Sequence, residues 1–243
     1  MDPQPIGCVS HSVLRAHLKI RPRQEHGRSA ASVMAYELYG SIRSGSLAVE
    51  LTLAEIGVAY EVHAIDLRAD AQRDPAYTLV NPQQKLPALR TPEGDLLTES
   101  VAIMLTLDER HPDAGLLPAP ATAERAVALR WLLFIATELY PVVEINDYPE
   151  RFTAPGANVS ATRQLARELW RRRWLVVEQQ FGGGPYFLAS GFSLVDIYIA
   201  VVSRWAQQED WRPANLPSVE AVAAAVGQRP ACAPIWARHE LGQ

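Results

Sequence analysis

Asn81-Pro82-Gln83-Gln84-Lys85-Leu86-Pro87-Ala88-Leu89 is followed, after nine residues, by Glu99-Ser100-Val101-Ala102-Ile103. Pro87 stands at the start of a short apolar strand, where it has no N–H to give to a ladder. A cis bond before it would turn Leu86 so that its N–H and C=O face outward. A small peptide can pair with such an edge as an added strand. Glu99-Ser100 follows a second strand (Leu96, Leu97) and opens an apolar-periodic run, so it falls where a helix begins. A helix N-terminus with a free hydroxyl favours a carboxylate, and the neighbouring glutamate favours an ammonium. A backbone edge, an anion site and a cation site at one locus suit a zwitterionic peptide.

Upstream, Tyr36–Gly40 reads as a strand ending in the turn Gly40-Ser41-Ile42-Arg43-Ser44-Gly45-Ser46. A helix follows with Leu47, Leu51 and Ala54 on one face, and Gly57 supplies its stop. Residues 60–67 alternate as a second strand, which leaves room for a crossover helix in a βαβ unit. A short helix over 71–80 precedes strands at 87–91 and 95–98, and the Pro92-Glu93-Gly94 turn makes those two an antiparallel hairpin. Helix Ser100–Arg110 completes the βαβ-α-ββ-α order of a thioredoxin-like fold. His111-Pro112 ends that helix, since the residue before proline disfavours α geometry.

Residues 114–121 read as a linker, and strand alternation stops after them. Helical runs are expected over 123–146, 161–181, 194–208 and 218–227, with a short one near Trp236. Ser193 and Asp196 have capping-box spacing, with Phe192 placed to staple onto Ile197. Pro141 should kink the first of these helices. The fold class expected is therefore α/β plus all-α, with 34–113 thioredoxin-like and 122–243 helical.

Composition narrows the function. With 48% hydrophobic and 21% charged residues the chain is an ordinary globular protein. A net charge of −4 offers no basic excess for nucleic acid. The longest apolar runs, such as 197–202, are far short of a membrane span. Cys8 and Cys232 form no metal-spaced cluster and no Cys-x-x-Cys, so no metal is expected and the setting is read as reducing and cytoplasmic. Residues 1–33 carry five basic against two acidic side chains, about +3, which leaves about −7 for the rest. With Met34 just before the first strand, 1–33 are read as a disordered extension or a misassigned start. A targeting peptide or a functional arm are the alternatives.

From Met34 onward the chain resembles the glutathione S-transferase superfamily, through Asn-Pro-x-x-Lys-Leu-Pro-Ala-Leu, the Glu-Ser pair and the all-helical second half. The Ser193–Asp196 box falls where those proteins carry one in their buried sixth helix. The resemblance implies that glutathione is the co-substrate and must react as thiolate. A free thiol has a pKa near about 8.5, so it needs lowering by about two pH units. By position, Ser44 matches the catalytic serine of theta- and zeta-like enzymes, with Ser41 and Ser46 as competing hydroxyls. Gly45 stands where beta-class enzymes carry a cysteine and Ser46 where zeta enzymes do, which argues against a mixed-disulfide mechanism. The resemblance further implies glutathione contacts from Gln72, Lys85, Leu86, Pro87, Glu99 and Ser100. Gln72 and Lys85 would serve the glycyl carboxylate, Leu86 the backbone, and Glu99 and Ser100 the γ-glutamyl end.

An electrophile pocket is expected between the domains on the first long helix of the second half, from apolar and aromatic side chains. Arg43, Trp131 and Tyr140 are its candidate substrate residues, although an aromatic stripe at helical spacing equally suits a core. His63, His111 and His239 read as structural, and Arg171-Arg172-Arg173 as a solvated face. The expected function is conjugation of glutathione to a small hydrophobic electrophile in detoxification, by a homodimer. Glutathione-dependent isomerisation of a maleylpyruvate or maleylacetoacetate type is the alternative, although the second half shows no clear arginine for a dicarboxylate. A non-catalytic binding module is the alternative of another class.

Overall fold

The computed structural model describes residues 35–205 and 210–239. The reading of 1–33, and the last positions of the helix expected over 194–208, lie outside these described residues. Strands β1 (Tyr36–Gly40), β2 (Tyr60–Ala64), β3 (Ala88–Arg90) and β4 (Leu96–Thr98) form one sheet in the order β2-β1-β3-β4. β1 runs parallel to β2 and antiparallel to β3, and β3 runs antiparallel to β4. This mixed sheet, with helices α1 (Ser46–Ile56), α2 (Pro75–Thr78) and α3 (Ser100–Arg110), is the thioredoxin-like arrangement. The Leu86–Pro87 bond before β3 is cis.

Helix α1 is buried over eight consecutive residues from Ser46 to Leu53, not on the one face that Leu47, Leu51 and Ala54 suggested. It packs on β1, on α3 and on helix α7 (Leu194–Val202), so every side meets protein. Gly57 ends it at φ 79, in the left-handed geometry that suits glycine. Strand β2 stops at Ala64, short of the expected 67, and the Asp66 carboxylate starts a 3-10 turn by accepting from the N–H groups of Arg68 and Ala69. The helix expected over 71–80 is split, because Asp74 precedes Pro75 and is extended at φ −58, ψ 137.

The second part is helical throughout the described residues. Helix α4 (Ala123–Phe134) passes through a π turn (Ile135–Leu139) into α5 (Tyr140–Asp147). The wide turn lies just before Pro141, where the sequence called for a kink; it is the way this helix accommodates a residue with no N–H to donate. The continuous stretch Ala123–Asp147 is long and apolar enough by length and composition to cross a membrane, which the shorter runs counted in the sequence did not show. Its Ala128, Trp131, Leu132, Ile135, Leu139 and Val142 are core residues of the helical part. Helices α6 (Val159–Glu178), α7, α8 (Arg212–Asn215), α9 (Pro217–Gln228) and α10 (Ala233–Arg238) complete the fold. Arg173 pairs with Glu138 and Arg171 lies over the Trp211 ring, so two of the three arginines read as a solvated face are engaged. The segment after α3 keeps Leu116 and Leu117 buried, and Leu116 C=O accepts from Leu194 N–H at 2.9 Å.

Every residue of α7 is buried, including Asp196. Asp196 Oδ2 accepts from Ser193 N–H at 2.8 Å and from the Ser193 hydroxyl at 3.0 Å, and Oδ1 accepts from Phe187 N–H at 2.7 Å. Burial pushes its carboxyl up to about 6 in spite of these donors. Phe192, expected to staple onto Ile197, meets Tyr186 edge-on and lies 3.5 Å under the Arg229 guanidinium. Removing the Ser193 hydroxyl should cost about 0.5–2 kcal/mol. Asp196→Ala strands two interior N–H groups at about 1–3 kcal/mol each. Urea denaturation should therefore place Asp196→Ala clearly below Ser193→Ala; equal losses would show that the carboxylate does not hold the 187–193 loop.

Glu55 at the end of α1 accepts two bonds from Arg229, both 2.7 Å, and one from the Cys232 thiol. Burial raises its carboxyl, but the Arg229 and Cys232 hydrogen bonds and the Arg229 charge prevail and leave it below the ordinary 4.5. A depressed carboxylate contributes stability above its unfolded pKa and loses it as pH falls. The stability gap between wild type and Glu55→Gln should be full at neutral pH and close as the medium is acidified below 4.5, measured by denaturation at several pH values. A gap that does not change with pH would mean that the ion pair contributes nothing.

Candidate active site

The first turn of α1 opens onto a cavity of about 770 Å³ between the sheet edge and the helical part. Three serines crowd that turn. Ser44 Oγ donates to Ser41 C=O at 2.9 Å and lies 2.8 Å from Ser46 Oγ, which accepts from Ser41 N–H at 3.1 Å. Ser44 lines the cavity, while Ser46 is 2% exposed and faces inward. Ser46 Oγ also reaches Ser41 C=O at 3.3 Å, so it can take over that acceptor when the Ser44 proton turns to a ligand.

Gly45 caps α1 without a side chain, and the reason is Tyr140. A Cβ at position 45 would overlap the Tyr140 hydroxyl and lie 3.5 Å from the Leu86 carbonyl. The Tyr140 hydroxyl has no hydrogen-bond partner among the described residues, and its ring packs edge-on against Trp205 at 4.9 Å. Burial, then the negative charges of Glu99 and Glu144, push its pKa up to about 12, so it is a neutral donor at physiological pH.

Leu86 lines the same cavity, and among the described residues its N–H and C=O have no partner. The preceding loop is locked from behind: Lys85 C=O accepts from the Tyr77 hydroxyl at 2.7 Å and from the Asn81 amide at 2.8 Å. Asn81 Oδ1 also accepts from Gln83 N–H at 3.0 Å. An asparagine whose side-chain oxygen accepts from the N–H two residues on forms an Asx-turn, the one clue to this lock in the sequence.

Arg43, Ser44, Gln72, Lys85, Leu86 and Tyr140 all line the cavity. Two of them are engaged in unforeseen ways. Lys85 Nζ bridges to Glu144 of α5 at 3.0 Å, so it is not an unpaired cation awaiting a carboxylate. The Gln72 amide nitrogen donates to Asp70 at 3.0 Å, which leaves its Oε1 buried and unpartnered, an acceptor where a donor was expected. Pro87 is buried at the start of β3 and does not line the cavity. Glu99 and Ser100 lie outside its lining at the N-terminus of α3, with Glu99 close enough to act electrostatically on Tyr140. Ser100 Oγ is 3.0 Å from the hydroxyl of Tyr198. Burial raises the Tyr198 pKa, so that phenol can donate to Ser100 and leave the serine proton for a ligand.

Trp131 is a correction. It is 2% exposed inside the helical core, against Phe134 at 5.2 Å and Phe187 at 5.4 Å, and does not reach the cavity. From α5 and its C-terminal end, Tyr140, Val143, Glu144, Asp147 and Tyr148 line it, all beyond the π turn. The wall is more polar than the apolar lining expected: Arg73, Arg151 and Arg204 face Asp70, Asp147 and Glu150 around it. Nothing in the sequence marked Arg151 or Arg204, because charge on helix ends is ordinary. Among the described residues no cluster of His, Cys, Asp and Glu is fit for a metal. Cys232 is buried, and burial and the Glu55 bond raise its thiol, so it is no nucleophile at neutral pH.

Fold and site together define a thioredoxin-like protein with a helical second part, whose cavity joins a helix N-terminus to a backbone edge left unpaired among the described residues. Residues 45–110 match the family described as glutathione S-transferase, N-terminal domain. The uncharacterized GST-like protein YncG of Escherichia coli K12 is 30% identical over 208 residues, 84% of this chain and 98% of that protein. A maleylacetoacetate isomerase of Pseudomonas aeruginosa is 30% identical over 174 residues, 67% of this chain and 77% of that one. The solved glutathione transferase of Methylococcus capsulatus aligns with a TM-score of 0.72 at 28% identity, over 85% of this chain and all of that one. A Sulfitobacter homolog solved with bound glutathione shares the fold, with a TM-score of 0.78 at 24% identity over 84% of this chain and 98% of that one. The chain belongs to the glutathione S-transferase superfamily.

The Gly45 contact is testable without any ligand. Gly45→Ala forces Tyr140 off its seat and should cost about 1–3 kcal/mol, as overpacking does. Adding Tyr140→Phe removes the overlapping atom, the next being the ring carbon at 3.4 Å, so the double variant should recover most of the loss in thermal denaturation. Additive losses would show that Tyr140 does not set the residue at 45.

Proposed function

We propose that this protein is a glutathione transferase that binds glutathione in the cavity, holds its thiol as thiolate and adds it to a small electrophile. The observation that carries this reading is the Ser44 hydroxyl on the cavity wall at the α1 N-terminus, next to the unpaired N–H and C=O of Leu86. The leucine backbone would pair with the cysteinyl unit, and the hydroxyls of Ser44 and Tyr140 would donate to the sulfur. Glu99 and Ser100 would take the γ-glutamyl ammonium and carboxylate, and Gln72 and Lys85 the glycyl end, Lys85 by exchanging its partner Glu144. Two neutral donors and a helix dipole stabilise the anion over the thiol, whose proton leaves to solvent; the thiolate then forms the C–S bond while the electrophile expels its leaving group, such as halide, or, in an addition, takes up a proton from solvent. Tyr148, Val143 and Trp205 form the apolar side on which the electrophile would rest. The same reading makes 34–113 the glutathione-binding domain and 122–243 the helical one, in a cytoplasmic homodimer serving detoxification.

A second reading, glutathione-dependent isomerisation of a dicarboxylate, draws on Arg151 and Arg204. Both line the cavity from the helical part, and a relative from Pseudomonas aeruginosa carries the name maleylacetoacetate isomerase. Both arginines are paired, Arg151 with Glu144 at 3.6 Å and Arg204 with Glu220, so a dicarboxylate would have to displace those carboxylates. Conjugation needs only the exposed Lys85–Glu144 pair to open and leaves both arginines in place, and it is the reading preferred.

Thiolate absorbance of glutathione titrated onto the protein should give a bound-thiol pKa about two below the free value, and Ser44→Ala should abolish most of that shift. Binding with an unshifted thiol would turn the reading to a non-catalytic module. Turnover of a maleyl dicarboxylate, lost in Arg204→Ala and without activity on aryl halides, would establish the isomerase instead.

A further inference from the structure

Arg43 has a left-handed backbone, φ 58, which disfavours any residue with a side chain. Its N–H donates to Nδ1 of His239 at 3.1 Å. His239 follows α10, is 2% exposed, and reaches the turn from 196 residues away in the chain. A ring nitrogen that accepts a bond carries no proton, so the imidazole proton sits on Nε2. That nitrogen faces the Glu50 carboxylate at 3.5 Å, with side-chain exposures of 2% and 3%. Glu50 belongs to α1 and is also paired with Arg238 and, at 3.4 Å, with the Tyr60 hydroxyl. The imidazole therefore clasps the Arg43 turn at one nitrogen and, at the other, the helix into which that turn leads.

We propose that His239 is a positioning residue for the thiol-activating turn. Its Nδ1 lone pair holds Arg43 in the left-handed geometry that sets the Ser44 hydroxyl and the first N–H groups of α1 toward the cavity. Glu50 fixes the tautomer by accepting from the Nε2–H, and Arg238 balances the charge of Glu50. This inference rests on the reading of Ser44 as donor to a glutathione thiolate.

Two substitutions separate positioning from bulk. His239→Asn places an acceptor near the Nδ1 position and gives up the bond to Glu50. His239→Gln places an amide donor toward Glu50 and gives up the acceptor. Amide exchange at Arg43, followed by NMR in the ligand-free chain, should stay slow in wild type and His239→Asn and accelerate about tenfold or more in His239→Gln. The bound-thiol pKa of glutathione should follow the same order, remaining depressed in the asparagine variant and reverting toward the free value in the glutamine variant. Equal exchange in all three proteins would overturn the proposal, and so would parallel loss in both variants that tracks thermal stability alone. If wild type binds no thiolate, the glutathione reading fails, while the Arg43 exchange rates still decide the role of His239.

Discussion

A carboxylate lies inside the helix on which the whole molecule is built. Glu50 sits among eight consecutive buried residues of α1, where an unpaired charge is costly. Its partners, the Arg238 guanidinium and the His239 imidazole, come from the far end of the chain, and so do Arg229 and Cys232 around Glu55. Each acidic group on α1 is satisfied only when the helical part has closed over it. With α7 packed on the same helix, the second part covers a side of α1 that the sheet and α3 leave open. The cavity opens beside the N-terminus of α1, where Ser44 and Gly45 line it.

The charges of the cavity differ in how firmly they are held, and this ranks them as ligand sites. Lys85 and Glu144 are 63% and 33% exposed, and such a pair contributes only about 0–1 kcal/mol. An incoming carboxylate can displace Glu144 from Lys85 at small cost. Arg204 is 9% exposed, shares Glu220 with Arg212 and also donates to Ser203 Oγ, so drawing it to a ligand breaks a largely buried network. Lys85 is therefore the readier cation for a terminal carboxylate, and Arg204 a fixed part of the wall.

What the sequence made legible was local. The Leu86-Pro87 step, the Gly57 stop, the hairpin around Gly94 and the Ser193–Asp196 box each depend on residues within a few positions, and each stands in the structure. Ser44, Gln72, Lys85 and Leu86 could be nominated through the resemblance that those segments carry, position by position. Trp131 could not be assigned by the same means, since an aromatic residue every three or four positions fits a core as well as a cleft. Which face meets the cavity is decided by the π turn, whose extra residue leaves no mark on hydrophobic periodicity. The His239–Arg43 bond was out of reach for the opposite reason: it joins a loop to a helix end nearly two hundred residues apart, and a lone histidine carries no spacing to read.

Position 45 shows how far the two parts constrain each other's chemistry. A cysteine there would bring its own thiol to the helix N-terminus, yet any Cβ at 45 collides with the Tyr140 hydroxyl. Tyr140 reaches that point because the π turn at Ile135–Leu139 adds a residue before α5. Each residue of helix turns a side chain by about 100° around the axis, so without the insertion the phenol would point elsewhere. Burial and the charges of Glu99 and Glu144 keep that phenol protonated, which makes it a donor and never a nucleophile. With Tyr140 seated there, glycine at 45 avoids the overlap, and in the reading proposed above the chemistry passes to hydroxyls acting on a sulfur that the ligand brings.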